Sequence, residues 1–289
     1  MSYLLHLVAL IAIYVILAQA LNLAFGYGGM LSLCSAAIAG IGAYCSGLLM
    51  VRLGLSYFIA LPIAAALSGF VAFVVGSLSQ RLRGDAFVMA TMGVQAIVSA
   101  ALLNWSNLTG GAAGLPGIPR PAFFSAITPT ALGSALFTVA TAFGTSLLLS
   151  HLMASGYGRA LQAVRDDPLA AMALGKRPAY YRATAFAISG VLGGVGGSAW
   201  AVHISFIDPA SFSLEESVLV LSIVIIGGGG SIGGPILGAT LLLLLPEALR
   251  FLGVADSVAP NLRQIVYGAL LVGVMLFRPQ GLAGRYALD

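Results

Sequence analysis

Side chains able to do chemistry are scarce in this sequence. Charged residues make up 8% of its 289 positions. The densest group lies in ALQAVRDDPLAAMALGKRP, from Ala160 to Pro178. There Arg165, Asp166, Asp167, Lys176 and Arg177 frame the run Pro168 to Leu174, which has no polar side chain. No pattern for covalent chemistry accompanies them. Gly175–Lys176 is followed by Arg177, so the G-K-[ST] ending of a phosphate-binding loop is missing. No His, Cys and carboxylate residues share metal-ligand spacing, and no Ser and His are spaced as a nucleophile and base. The sequence therefore gives no catalytic residue and no metal site. What the stretch offers is an apolar docking surface with a charged rim.

The local signals predict a short helix. Asp167 suits the N-cap and Pro168 the first helical position. Gly175 suits the left-handed position past the end, with Lys176 and Arg177 near the negative helix terminus. A helix over Pro168 to Leu174 is about 10 Å long at ~1.5 Å per residue. At ~100° per residue, Leu169, Met172 and Ala173 share one face while Ala170 and Leu174 lie on another. A helix apolar all round needs burial on more than one side. One face can rest on its own protein, and the other calls for a partner groove.

The rest of the chain explains what carries this loop. Hydrophobic residues make up 60% of it and the mean hydropathy is +1.02, far above a soluble domain. Apolar segments run over Tyr3–Ala24, Met30–Met50, Ser56–Leu78, Ala86–Trp105, Thr130–Ala154, Ala183–Ile204, Val218–Ile226, Ile236–Leu249 and Leu262–Phe277. The fold expected is an all-α polytopic membrane bundle of about eight or nine transmembrane segments. Residues 1–289 are read as one transmembrane domain. The seventh and eighth segments are short, and GGGGSIGGPILG, Gly227 to Gly238, marks a Gly-rich break between them. The first run lacks a basic leader and reads as a span, not a cleaved signal. Cys34 and Cys45 lie in an apolar segment and read as packing residues. The net charge of +4 reflects loop arginines, so nucleic acid is not expected.

Positive residues collect on the cytoplasmic side of membrane proteins. Alternating sides along the segments places Arg81, Arg83, Arg159, Arg165, Lys176, Arg177, Arg182, Arg278 and Arg285 on one face. Arg52, Arg120, Arg250 and Arg263 fall on the other. The loop 158–182 and the C-terminus are thus expected inside, and the segment 207–217 outside. No Asp, Glu, Lys or Arg falls near the middle of a span, which argues against a proton- or voltage-driven machine. His6 and His203 read as satisfied interfacial groups near span ends. The interior is rich in glycine, 37 in the chain. Gly190 with Gly194, Gly193 with Gly197, and the series Gly230, Gly234 and Gly238 have the spacing of close helix contacts.

At this point the sequence resembles the LivM-type permease family of branched-chain amino acid ABC importers. The resemblance rests on LNLAFGYGGMLSLCSAAIAGIGAY from Leu21, RLRGDAFVMATMG from Arg81 and TGGAAGLPGIPRP from Thr109. It continues through GRALQAVRDDPLAAMALG from Gly158, the stretch from Ile207 to Ala239, LPEALR from Leu245 and RPQGL from Arg278. It implies a second related permease subunit, two cytoplasmic ABC ATPase subunits, an extracytoplasmic solute-binding protein and membrane lipid as partners. It also implies the cytoplasmic (inner) membrane as location. No cofactor is expected on the chain itself; ATP and Mg would act through the ATPase subunits.

Within LAAMALG, Ala170, Ala171 and Gly175 match the E-A-A and Gly of the family's coupling motif, with Leu169 in place of the Glu. The resemblance thus makes Arg165, Asp166, Asp167, Pro168, Leu169, Ala170, Ala171, Met172 and Gly175 the ATPase-coupling residues. Relatives often carry a Glu and an Arg in the span after RLRGD, where this chain has Ala96 and Ser99. A solute path past Thr91, Gln95 and Ser99 and the Gly-rich breaks at Gly194 and Gly230 is expected. Asp208, Glu215, Glu216 and Arg120 are expected in outer loops, facing a binding protein or solvent. The function implied is ATP-driven import of branched-chain or other neutral amino acids. The alternative is a stand-alone secondary transporter or channel for a small neutral solute.

Overall fold

The computed structural model describes residues 2–78, 82, 84–120, 131–251, 268–274, 276, 278 and 280–284. Away from water, an apolar chain satisfies its backbone most simply as helix, and helices dominate. α1 (Ser2–Asn22) passes into a π-helical turn, Leu23–Tyr27, and α2 (Ser35–Leu53), α3 (Tyr57–Leu78) and α4 (Asp85–Asn104) follow. After a single turn, α5 (Ser106–Thr109), come β1 (Leu115–Pro116), α6 (Ala131–Ala154), α7 (Gly156–Asp166) and α8 (Pro168–Ala173). α9 (Pro178–Ile204) leads to β2 (Phe206–Ile207), a 3₁₀ turn (Pro209–Phe212), α10 (Leu214–Gly227) and α11 (Gly233–Phe251).

Six helices among the described residues are long and apolar enough to cross a membrane, from Tyr3–Tyr27 to Pro178–Ile204. They match the first six expected segments. The seventh and eighth are α10 and α11, which pack on each other and on α1. The break expected in the Gly-rich run is the loop 228–232. Half of the ninth segment, Leu262–Phe277, lies outside the described residues, and 268–274 and 276 are helical. Arg81, Arg83, Arg263 and Arg285 also lie outside them.

α9 is the axis. It packs against α3, α2 and α1, and 67% of its most apolar window is buried against 22% for α4 at the periphery. Its glycines make that position possible. A Cβ added at Gly42 of α2 would lie 2.5 Å from the Gly194 Cα, so the two helices meet backbone to backbone. At one end of the bundle β1 pairs antiparallel with β2, Leu115 opposite Ile207 and Pro116 opposite Phe206. Arg52 holds the same end by donating to the Asn107 and Leu108 carbonyls. α7 and α8 lie at the opposite end.

Candidate coupling helix and bundle interior

The loop after α6 is built from local caps. Ser155 accepts from the Tyr157 amide and starts α7. Leu161 and Val164 of α7 are fully buried, so this amphipathic helix lies on the end of the bundle. Burial pushes the Tyr157 phenol above its usual range, and the neutral hydroxyl shares a 2.8 Å hydrogen bond with Thr184 of α9. Asp167 then does two jobs. Its amide closes α7 on the Ala163 carbonyl. Its carboxylate caps α8 by accepting from the Leu169 and Ala170 amides at 2.8 and 3.0 Å.

α8 ends in a Schellman arrangement. The Lys176 amide donates to Ala171 and the Gly175 amide to Met172, while Gly175 takes φ +74°. That backbone strains any residue with a Cβ. Ala171 is the one buried residue of α8 and seats the helix on the bundle. Leu169, Met172 and Leu174 are 70%, 46% and 78% exposed. Ala170, Ala173 and Asp166 are exposed, and Pro168 is half-buried. Arg165 faces inward: its guanidinium donates to the Gly26 carbonyl at the end of α1. Its stem packs over Gly29, which has φ +68°. The loop that carries α8 is thus held to the first span.

The residues expected along a solute path lie in the interior, tied into the helix framework. The start of α2 is sunk in the bundle, and its first amides lack partners within the helix. The neighbouring elements supply them. The Thr91 hydroxyl accepts from the Leu33 amide at 3.1 Å and the Ser217 hydroxyl from the Ala36 amide at 3.0 Å. The Gln95 carbonyl oxygen accepts from the Ala37 amide at 2.8 Å and from the Ser217 hydroxyl at 3.1 Å. The Gln95 amino group donates to the Phe212 carbonyl at 2.7 Å and to Ser99 at 3.2 Å. All four hydrogen-bonding positions of that amide are filled. Gly194 packs against Gly42 and Ser68. Gly230, at φ +74°, donates its amide to Asn22.

Sequence reasoning missed two interior groups. Asn22 is fully buried. Its side-chain amide donates to the Ser231 carbonyl at 2.8 Å and accepts from the Gly230 amide at 2.9 Å, so it clamps the Gly-rich break. The available signal was a lone Asn inside an apolar run. The second is Glu216, placed by sequence in an outer loop. The stretch 207–217 is not one loop: after β2 and the 3₁₀ turn, Leu214–Ser217 are already helix. The Glu216 carboxylate accepts from the Tyr14 hydroxyl at 2.8 Å, near the centre of α1. Hydropathy sees a charge and reads surface, whereas the first turn of α10 sets Glu216, half-buried, against α1. Glu215 and Arg120 are exposed, and Asp208 accepts from Ser211. His6 and His203 partner each other at 2.9 Å, their rings stacked.

An apolar bundle with a broken helix pair and an exposed, rigidly capped peg has the form of a translocation subunit. The sequence model of the family described as branched-chain amino acid transport system, permease component, matches residues 3–275. The chain belongs to this family. It is a multi-pass membrane permease component of the LivM type. It is 34% identical over 293 residues to the high-affinity branched-chain amino acid transport system permease protein LivM of Escherichia coli K12, covering 93% of this chain and 67% of that protein. The LivM of Salmonella typhimurium is 33% identical over the same shares. The autoinducer 2 import system permease LsrC of Salmonella paratyphi B is 30% identical, over 81% of this chain and 66% of its own length. No solved structure matches the permease.

Proposed function

We propose that the permease forms half of the translocation path of an ATP-driven importer in the cytoplasmic membrane, and that α8 is the handle by which an ATPase subunit drives it. One observation carries the reading. α8 is fixed by the Asp167 cap, the Gly175 turn and the Ala171 seat, yet it leaves Leu169, Met172 and Leu174 largely uncovered. Full burial of such side chains gains roughly 1.5–3 kcal/mol each, which a helix-in-groove partner supplies. Two ATPase subunits, a second permease and an extracytoplasmic binding protein complete the assembly. α8 and the C-terminus then face the cytoplasm. ATP and Mg belong to the ATPase subunits. The solute is a branched-chain or other neutral amino acid, the substrate class named for the LivM relatives, which match over more of this chain than the LsrC proteins do.

The test is ATP-driven uptake in proteoliposomes of the whole complex. Ala171→Glu forces a charge into the buried seat, and Gly175→Leu strains the turn beyond it. Each is expected to reduce uptake at least tenfold while the permease still inserts. A cysteine at Leu169 should cross-link to the ATPase subunit. Retained coupling in both variants, with no cross-link, would refute the docking role. Uptake by the permease alone without ATP would favour the stand-alone transporter.

A further inference from the structure

Beside α8 lies a cavity of about 290 Å³. It sits where the chain after α1 meets the starts of α4 and α9. Its lining carries charges of both signs, Asp85 and Arg182, and apolar walls that include Met30, Phe87 and Val88. Pro168, the first residue of α8, closes part of it. The volume is at the lower edge of the ~300–1,000 Å³ typical of small-molecule sites, which suits an amino acid better than a larger ligand. Among the described lining residues the charges are one carboxylate and one guanidinium, a pair that binds a net anion or cation poorly, since each ligand charge meets a like charge as well as an opposite one. A zwitterion presents an opposite charge to each. Its carboxylate takes donors from the five-donor guanidinium, its ammonium faces Asp85, and an aliphatic side chain covers the Met30, Phe87 and Val88 wall. Asp85 is also in the first turn of α4, at the positive end of the helix dipole.

We propose that this cavity binds a free aliphatic amino acid from the cytoplasm and thereby restrains α8, so that accumulated product slows import. The binding half stands on the cavity; the restraint rests on the docking reading of α8, because an occupant bears on Pro168.

The test measures binding of radiolabelled L-leucine to the purified full complex without the binding protein, beside ATP-driven uptake into proteoliposomes preloaded with L-leucine. Wild type should bind leucine saturably at this site. Asp85→Asn and the cavity-filling Val88→Trp should each weaken binding at least tenfold. Isoamylamine, without the carboxylate, and 4-methylvalerate, without the ammonium, should bind at least tenfold more weakly than leucine. The internal leucine concentration that halves uptake should rise by the same factor in both variants. Absent leucine binding, or binding unchanged in both variants, would overturn the site. Variants that lose binding without shifting the inhibition would overturn the restraint. Failure of wild-type ATP-driven uptake refutes the proposed function, whereas leucine binding lost in Asp85→Asn would still uphold the cavity.

Discussion

Replacing Gln95 by Leu tests whether the interior polar cluster holds the helices or handles solute. Leu fills nearly the same volume, so the packing change is small and the hydrogen bonds dominate. The substitution strips the Ala37 amide and the Phe212 carbonyl of the Gln95 side chain, while Ser217 keeps its bond from the Ala36 amide. A buried group left unsatisfied costs about 1–3 kcal/mol, so two such groups cost about 2–6 kcal/mol. The loss falls on the start of α2, next to Cys34, which is fully buried. The chain has 2 cysteines, so a Cys45→Ala background leaves Cys34 as the reporter thiol. Labelling of Cys34 by a permeant maleimide then reads local opening of this helix start. At about 1.4 kcal/mol per tenfold, the lower bound predicts a rise of about 30-fold in the labelling rate. Ser99→Ala, which removes only the 3.2 Å contact, should raise it by a few-fold at most. Unchanged labelling in Gln95→Leu together with abolished uptake would refute the reasoning and return Gln95 to the solute path.

Three further outcomes follow from the same geometry. Asn22→Leu removes both clamps on the Gly-rich break, and a cysteine placed at Ser231 should label at least about 30-fold faster in that variant, by the same two-group arithmetic. Gly42→Ala should destabilise the detergent-solubilised permease by about 1–3 kcal/mol in thermal unfolding, because its Cβ meets the Gly194 backbone; Gly144→Ala, with open space around it, should be neutral or stabilising by up to ~1 kcal/mol. Asp167→Ala should cost α8 about 0.5–2 kcal/mol and lower ATP-driven uptake without lowering membrane insertion, while Asp167→Asn restores most of it.

How much of this was legible depended on the range of the forces involved. α8 could be read residue by residue, because Asp167, Pro168 and Gly175 act on amides within a few positions of themselves. The long spans could be read because membrane thickness sets their length. The role of Gln95 could not, since its partners Ala37, Phe212 and Ser217 lie 58, 117 and 122 positions away. Nothing in the local pattern around them announces the meeting. Glu216 was misplaced for a related reason. Its charge is local information, but its place beside Tyr14 follows from long-range packing around the preceding turn, where Phe212 meets Tyr44 and Trp200.

The interior polar residues share one physical cause. A helix that starts or breaks inside a bundle exposes amides and carbonyls that neither lipid nor apolar side chains can satisfy. Thr91, Gln95 and Ser217 answer for the start of α2, and Asn22 for the break after α10. At the end of α10 the chain around RPQGL does the same with its backbone: Leu282 and Ala283 donate to the Ile226 and Gly227 carbonyls. These contacts also meet the loop that carries α8. Arg165 binds the Gly26 carbonyl, Gly26 lies against Asn22 and Gly230, and Asn22 grips Gly230 and Ser231. A pull on α8 therefore has a contiguous route through packed backbone to the Gly-rich break. Proximity alone does not establish coupling, and the Asn22→Leu variant separates the two. If the break loosens while ATP-driven uptake keeps its rate, the contacts hold the fold and transmit nothing. If uptake falls as the labelling of Ser231→Cys rises, the clamp that satisfies the broken helix is also the link that moves it.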